Sequence, residues 1–373
     1  MTNTFVESSV ARFSARSQPS REGAPSCWTP LPYPPSREGA PSCWTPLPYP
    51  LLRPARVRGT LCNVLVVLLL LVTSGCISVS LFPVKQPFRE KTVQGSGADK
   101  VLLLSVSGII SDGKDGLFNR DDNMVARIKE ELALAAEDEK IKALLIRINS
   151  PGGTVTASDV IYHEIMAFKE TRKIPVVSVI MDLGASGGYY VAVTGDRIIA
   201  HPTSVTGSVG VIMLRISAEG LLQKIGVEAS AIKSGAKKDI GSPFRPMTED
   251  ERAIFQTMIN GFFSRFVEVV TRGRSLPADQ LKMVADGRVL TGPQALQLGL
   301  VDQVGYLDDG IAAAKKLAGL TDARVVMYAR PDAYKNNIYS LTGEPSGWES
   351  LARLDLMNLV RGGSPQFMYL WMP

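Results

Sequence analysis

Three short glycine-rich stretches carry hydroxyl groups where they could do chemistry: Ser150-Pro-Gly-Gly153, Gly184-Ala-Ser186-Gly-Gly188 and Thr206-Gly-Ser208-Val-Gly210. Each follows an apolar run or opens a helical pattern, and glycine there lets the backbone approach another chain closely. A serine between glycines at the start of a helix presents its Oγ without crowding, and neighbouring amides can stabilise an oxyanion. Ser186 is therefore the candidate nucleophile. Its surroundings match the G-x-S-x-G nucleophile elbow only loosely, and no well-placed histidine lies downstream.

A serine hydroxyl needs a base. The chain has two histidines, His163 inside a helical pattern and His201 ahead of Pro202; the first reads as a partly buried structural residue and the second as the end of a strand. A lysine can serve instead, provided its amine is neutral. Lys233-Ser-Gly-Ala-Lys-Lys-Asp-Ile-Gly241 offers Lys233, Lys237 and Lys238, and the residues alone do not choose among them. If this stretch is extended, Asp239 points away from Lys238, because neighbouring side chains alternate. All four cysteines, Cys27, Cys43, Cys62 and Cys76, lie in the first 76 residues. The rest of the chain thus has no disulfide framework, thiol nucleophile or Cys-based metal site. No H-E-x-x-H spacing exists, and the chemistry requires neither metal nor organic cofactor.

The elements that must hold these turns are legible in the hydrophobic pattern. Val101–Val106, Ala143–Ile148 and Ile174–Ile180 are continuous apolar runs of the kind buried on both faces of a sheet. Between them, 123–136 and 156–171 carry helical periodicity, so the order implies an α/β fold with a mostly parallel sheet. A longer helix starts at Thr248 with a capping box to Glu251. Its Ile254, Met258, Phe262 and Phe266 recur every four residues and predict one buried stripe. Residues 86–98 read as a polar linker.

The N-terminal region differs in kind. Residues 19–34 recur unchanged as 35–50, with five prolines per copy, so 1–50 is expected to form no helix or central strand. It is either a tethering tail or the product of a start codon set too far upstream. Within 51–82, Arg53, Arg56 and Arg58 precede Leu61–Val72, a twelve-residue run apolar but for Asn63. As a helix the run spans about 18 Å, against about 30 Å for a bilayer core. The segment is read as a lipoprotein signal with Cys76 as the lipid attachment site, as a signal anchor continuing to Phe82, or as an ordinary cleaved signal; each exports the remainder of the chain. The expected organisation is then a linker over 83–98, a catalytic domain over 99–330 and a tail over 331–373. The formal net charge of +5 includes the three arginines, and elsewhere basic and acidic residues are interspersed, so no nucleic-acid partner is implied.

The motifs SPGG, GASGGYYVA, TGSVGVI, KSGAKKDIGSPFRPMTEDER and GRVLTGPQALQLGLVD, in that order, resemble signal peptide peptidase A in its short, single-domain form. The likeness runs from about Val101 to Leu320. It implies a crotonase/Clp-protease-like fold with flanking helices, Ser186 as nucleophile, Lys238 as base, Ser208 orienting the lysine, and Gly153 and Gly187 as oxyanion donors. It further implies cleaved signal peptides or other apolar peptides as substrate, and a homo-oligomeric ring. The catalytic domain would be bacterial, membrane-anchored and on the extracytoplasmic, periplasmic side. The alternatives are an exported protease of broader specificity, or a catalytically silent scaffold of the same fold. A crotonase-type acyl-CoA enzyme fits export poorly. The apolar tail Pro365–Pro373 is expected to pack on a neighbouring subunit or to mimic substrate.

Overall fold

The computed structural model describes residues 86–112, 123–330, 337–340 and 366–372. The duplicated segment 1–50, the hydrophobic segment 51–82 and Cys76 lie outside the described residues. In chain order the elements are β1 (Arg89–Gln94), β2 (Lys100–Ser107), α1 (Met124–Glu137), β3 (Ile141–Ser150), β4 (Gly152–Thr154), α2 (Val155–Arg172), β5 (Val176–Ala185), α3 (Gly187–Ala192), β6 (Arg197–Ala200), β7 (Val205–Gly207) and β8 (Ile212–Leu214). There follow α4 (Glu219–Lys224), α5 (Glu249–Gly273), α6 (Ala278–Val284), β9 (Val289–Thr291), α7 (Gly292–Gln297), β10 (Gln303–Val304), α8 (Leu307–Leu317), β11 (Arg324–Ala329) and β12 (Gln366–Leu370). None of these helices is long and apolar enough to cross a membrane.

The main sheet runs β1-β11-β2-β3-β5-β6-β10, with β7 on β5 and β9 on β7. All its pairings are parallel except β1 with β11 and β7 with β9. Every residue of β2 is buried, which explains its unbroken apolar run. Alternate side chains enter two separate cores. Leu102, Leu104 and Val106 meet the face covered by α1, α2, α3 and α5, whereas Val101 and Leu103 pack with Leu307, Ile311 and Ala314 of α8. Asn123 and Thr154 cap α1 and α2 through their side chains, and the Thr248–Glu251 capping box starts α5.

Three expectations need correction. The stretch read as a polar linker contains β1, an edge strand whose outward face is solvated and so lacks an apolar run. The α5 stripe is buried only at its end: Phe266 is fully buried, but Ile254 and Met258 are each 40% exposed, because the first turns bury Glu251 and Phe255 instead. His163 is exposed rather than partly buried.

Replacing Leu103, buried between β2 and α8, with alanine leaves a cavity. Leu103→Ala should cost about 2–5 kcal/mol in urea unfolding. Leu317→Ala at the exposed end of α8 should stay within about 0.5 kcal/mol.

Candidate active site

The site is built where β5 ends. Ala185 pairs with Gly207 of β7, and the Ser186 amide donates to the Gly207 carbonyl at 2.8 Å. There the chain turns sharply: Ser186 has φ 52° and ψ −116°, then α3 begins. Such a backbone costs a non-glycine residue about 1–3 kcal/mol and persists only where its surroundings enforce it. Here the Tyr190 amide closes on the Ser186 carbonyl at 2.8 Å, and α3 is buried throughout. The hydroxyl makes no capping hydrogen bond to α3, so it is not committed to that helix.

Ser208 stands beside it. It follows Gly207, the hydrogen-bond partner of Ser186, and has φ 52° as well. Its amide donates to the Arg288 carbonyl at 2.7 Å. Ser208 lines a cleft of about 470 Å³ together with Gln256, Asn260, Leu370 and Trp371.

Gly152 and Gly153 complete the cradle from β4. Ile110 donates to the Gly152 carbonyl at 2.8 Å and accepts from the Thr154 amide at 2.9 Å. Along a strand successive residues direct their backbone groups to opposite sides, so the Gly153 N–H faces away from Ile110, toward β12. A Cβ on Gly187 would come within 3.1 Å of the Gly153 nitrogen, and one on Gly152 within 2.6 Å of the Gly187 nitrogen. The two amides read as oxyanion donors are therefore neighbours, and only glycine leaves the space between them open.

Ser186, Ser208, Gly153 and Gly187 thus come together, but Lys238 does not join them. It is exposed, whereas Ser186 is 1% exposed, and among the described residues no hydrogen bond links the two. The lysine segment is not extended but a series of turns over 234–241. Asp239 does turn from Lys238: it pairs with Lys233 at 2.5 Å and with Arg245 at 2.8 Å, while Lys237 pairs with Asp250 at 2.7 Å. Arg245 also grips Glu251, at 2.6 Å, tying this segment to the start of α5. His201 lies just past β6 and stacks edge-on to Tyr306.

One residue that sequence reading did not single out lies in the cradle. β12 runs antiparallel between β4 and β8, and the Tyr369 carbonyl oxygen is 1.9 Å from where a Gly152 Cβ would be. The apolar character of the tail was the only signal.

Comparison with known proteins agrees with this architecture. The Clp protease family model matches residues 117–206, consistent with a Clp-like α/β serine peptidase. The peptidase family S49 model matches residues 168–321. A protein of Enterococcus faecium described as "Putative signal peptide peptidase SppA" is 38% identical over 69% of this chain and 73% of its own length. The "Serine protease SPPA, chloroplastic" of Arabidopsis thaliana is 34% identical over 66% of this chain, which spans 37% of that longer protein. A solved structure, that of a point mutant of a "1510-N membrane-bound stomatin-specific protease", has 15% identity and a TM-score of 0.38, covering 59% of this chain and 86% of that one. The chain belongs to peptidase family S49 and is a serine peptidase.

Hydrogen bonds from Arg245 hold the Glu251 carboxyl at about 2, below its ordinary 4.5, and push Asp239 down as well. Since folding depresses both, their stabilising effect is complete above the ordinary carboxylate range and is lost as pH falls toward 2. An NMR titration should find Glu251 titrating near pH 2, and Arg245→Ala should return it toward 4.5.

Proposed function

We propose that Ser186 and Lys238 form the catalytic dyad of an endopeptidase that degrades cleaved signal peptides and other apolar peptides at a membrane. The observation that carries this reading is the cradle: an unstrapped serine hydroxyl beside two converging amides, the arrangement acyl transfer requires. Ser186 attacks the peptide carbonyl, its proton passing to the Lys238 amine. The Gly153 and Gly187 N–H groups hold the oxyanion, and Ser208 orients the amine. The same lysine then activates water to release the acyl group. Membrane attachment through 51–82, with the catalytic domain extracytoplasmic, accords with the hydrophobic segment and its flanking arginines.

Within one chain Lys238 is exposed, so the reading includes assembly. The lysine lies on an extension that also exposes Leu221, Ile225, Val227 and Ile232, and exposed apolar surface of that kind marks a protein contact. In the homo-oligomer one copy's extension brings Lys238 to the next copy's Ser186.

Ser186→Ala and Lys238→Ala should each lose at least about a thousandfold in kcat with folding intact, measured on a synthetic signal peptide. Mixing the two inactive proteins and allowing subunits to exchange should restore turnover, since some sites then hold both intact residues. Full activity in Lys238→Ala would sink the dyad, and failure of the mixture to recover would sink its assembly between copies.

A further inference from the structure

Between α4 and α5, over 225–248, the chain forms neither helix nor strand, and every residue from 223 to 238 is exposed. A stretch with so little buried surface is held only weakly by packing. A base on it must nevertheless meet its serine accurately, because misplacement by about 1 Å can cost a hundredfold in rate. Polar contacts therefore have to fix the turn that carries Lys238.

Arg245 makes contacts of that kind. Its Nε and Nη2 donate to the two carboxylate oxygens of Asp239 at 2.9 and 2.8 Å, and Nη2 also reaches the Asp239 carbonyl at 3.2 Å. The residue directly after Lys238 is thus held by side chain and main chain together. On the other side, Nη1 and Nη2 donate to the Glu251 carboxylate at 3.0 and 2.6 Å. Glu251 is buried in the first turn of α5, whose far end is anchored in the core by Phe266, Val269 and Val270. Arg245 is itself pinned. Arg215 donates to the Ser242 and Arg245 carbonyls at 3.0 and 2.6 Å, and Pro243 and Pro246 restrict the backbone around it.

We propose that Arg245 is a positioning residue for Lys238: by joining Asp239 to Glu251 it fixes the lysine turn on α5 and so presets the base. The inference rests on the dyad reading above. The Thr248–Glu251 capping box starts α5 without any contact to Asp239, so the bonds to Asp239 serve the turn rather than the helix. A planar guanidinium spans two carboxylates in fixed geometry, which a lysine ammonium does not. Lys233 also pairs with Asp239, at 2.5 Å, but it lies on the exposed stretch and ties Asp239 to nothing rigid.

The test uses the full chain and the synthetic signal peptide. Asp239→Ala, which leaves Arg245 on Glu251, and Arg245→Ala should each lower kcat about a hundredfold with KM within about twofold of the parent. Arg245→Lys should recover little of the loss. Arg252→Ala, which breaks an exposed pair with Glu249, should change neither constant. Removing a carboxylate beside an amine favours the neutral amine, so a purely electrostatic role for Asp239 would raise kcat near neutral pH where a positioning role lowers it.

Subunit exchange then locates the defect. Mixed with Ser186→Ala, whose lysine turn is intact, Asp239→Ala should regain at least about tenfold in turnover; mixed with Lys238→Ala it should regain none. Recovery with Lys238→Ala instead, or unchanged kcat in both Asp239→Ala and Arg245→Ala, would overturn the inference and leave the dyad standing. If the mixture of Ser186→Ala with Lys238→Ala stays inactive, the rate at which a fluorophosphonate labels Ser186 decides: Asp239→Ala should slow labelling of the parent chain but cost nothing further in the Lys238→Ala background, and an equal further loss there overturns the inference. Full activity in Lys238→Ala removes the dyad and the inference with it. If Arg245→Ala fails to fold because Glu251 is left buried and unpaired, Asp239→Ala decides alone.

Discussion

The hydrogen bond from the Ser186 amide to the Gly207 carbonyl fixes the point where β5 stops being a strand. It holds residue 186 in a left-handed turn and aligns β7 with β5. It also sets Ser208 one residue beyond the partner carbonyl, where the bond from the Ser208 amide to the Arg288 carbonyl holds it. Around it the clearances are those of bare backbone. A Cβ on Gly188 would come within 2.6 Å of the Ser150 carbonyl oxygen, and one on Gly187 within 2.5 Å of the Ser158 hydroxyl. Gly152, Gly187 and Gly188 serve one end: the turn at β4 and the start of α3 meet closely enough to bring their backbone groups to one volume.

Much of this was legible because it is local. β2, β3 and β5 are buried on both faces and read as unbroken apolar runs. The helices between them declare themselves by period, and α5 by its capping box at Thr248. Short strands did not. β4 and β8 have three residues each, too few for any period to show, and β1 hides an edge strand in polar residues. The position of Tyr369 depends on a pairing with Gly153 across more than half the chain, which no local pattern encodes. Residue types pointed to the serine as a candidate; the fold shows that the Gly153 and Gly187 backbones are neighbours.

The lysine segment marks a different limit. Spacing alone could not distinguish Lys233, Lys237 and Lys238; in the structure their pairing differs. Asp239 and Asp250 engage the first two, whereas among the described residues Lys238 has no carboxylate within ion-pair distance. Arg245, by holding Asp239, keeps the acid adjacent in sequence from filling that role.

Ser186 and Ser208 occupy left-handed backbone that glycine adopts with little strain. Directed evolution scored only by heat resistance would therefore drift toward glycine at both positions. The most robust proteins such a screen returned would have lost both hydroxyls while keeping the sheet that displays them, so thermal ranking and retention of the site would pull in opposite directions.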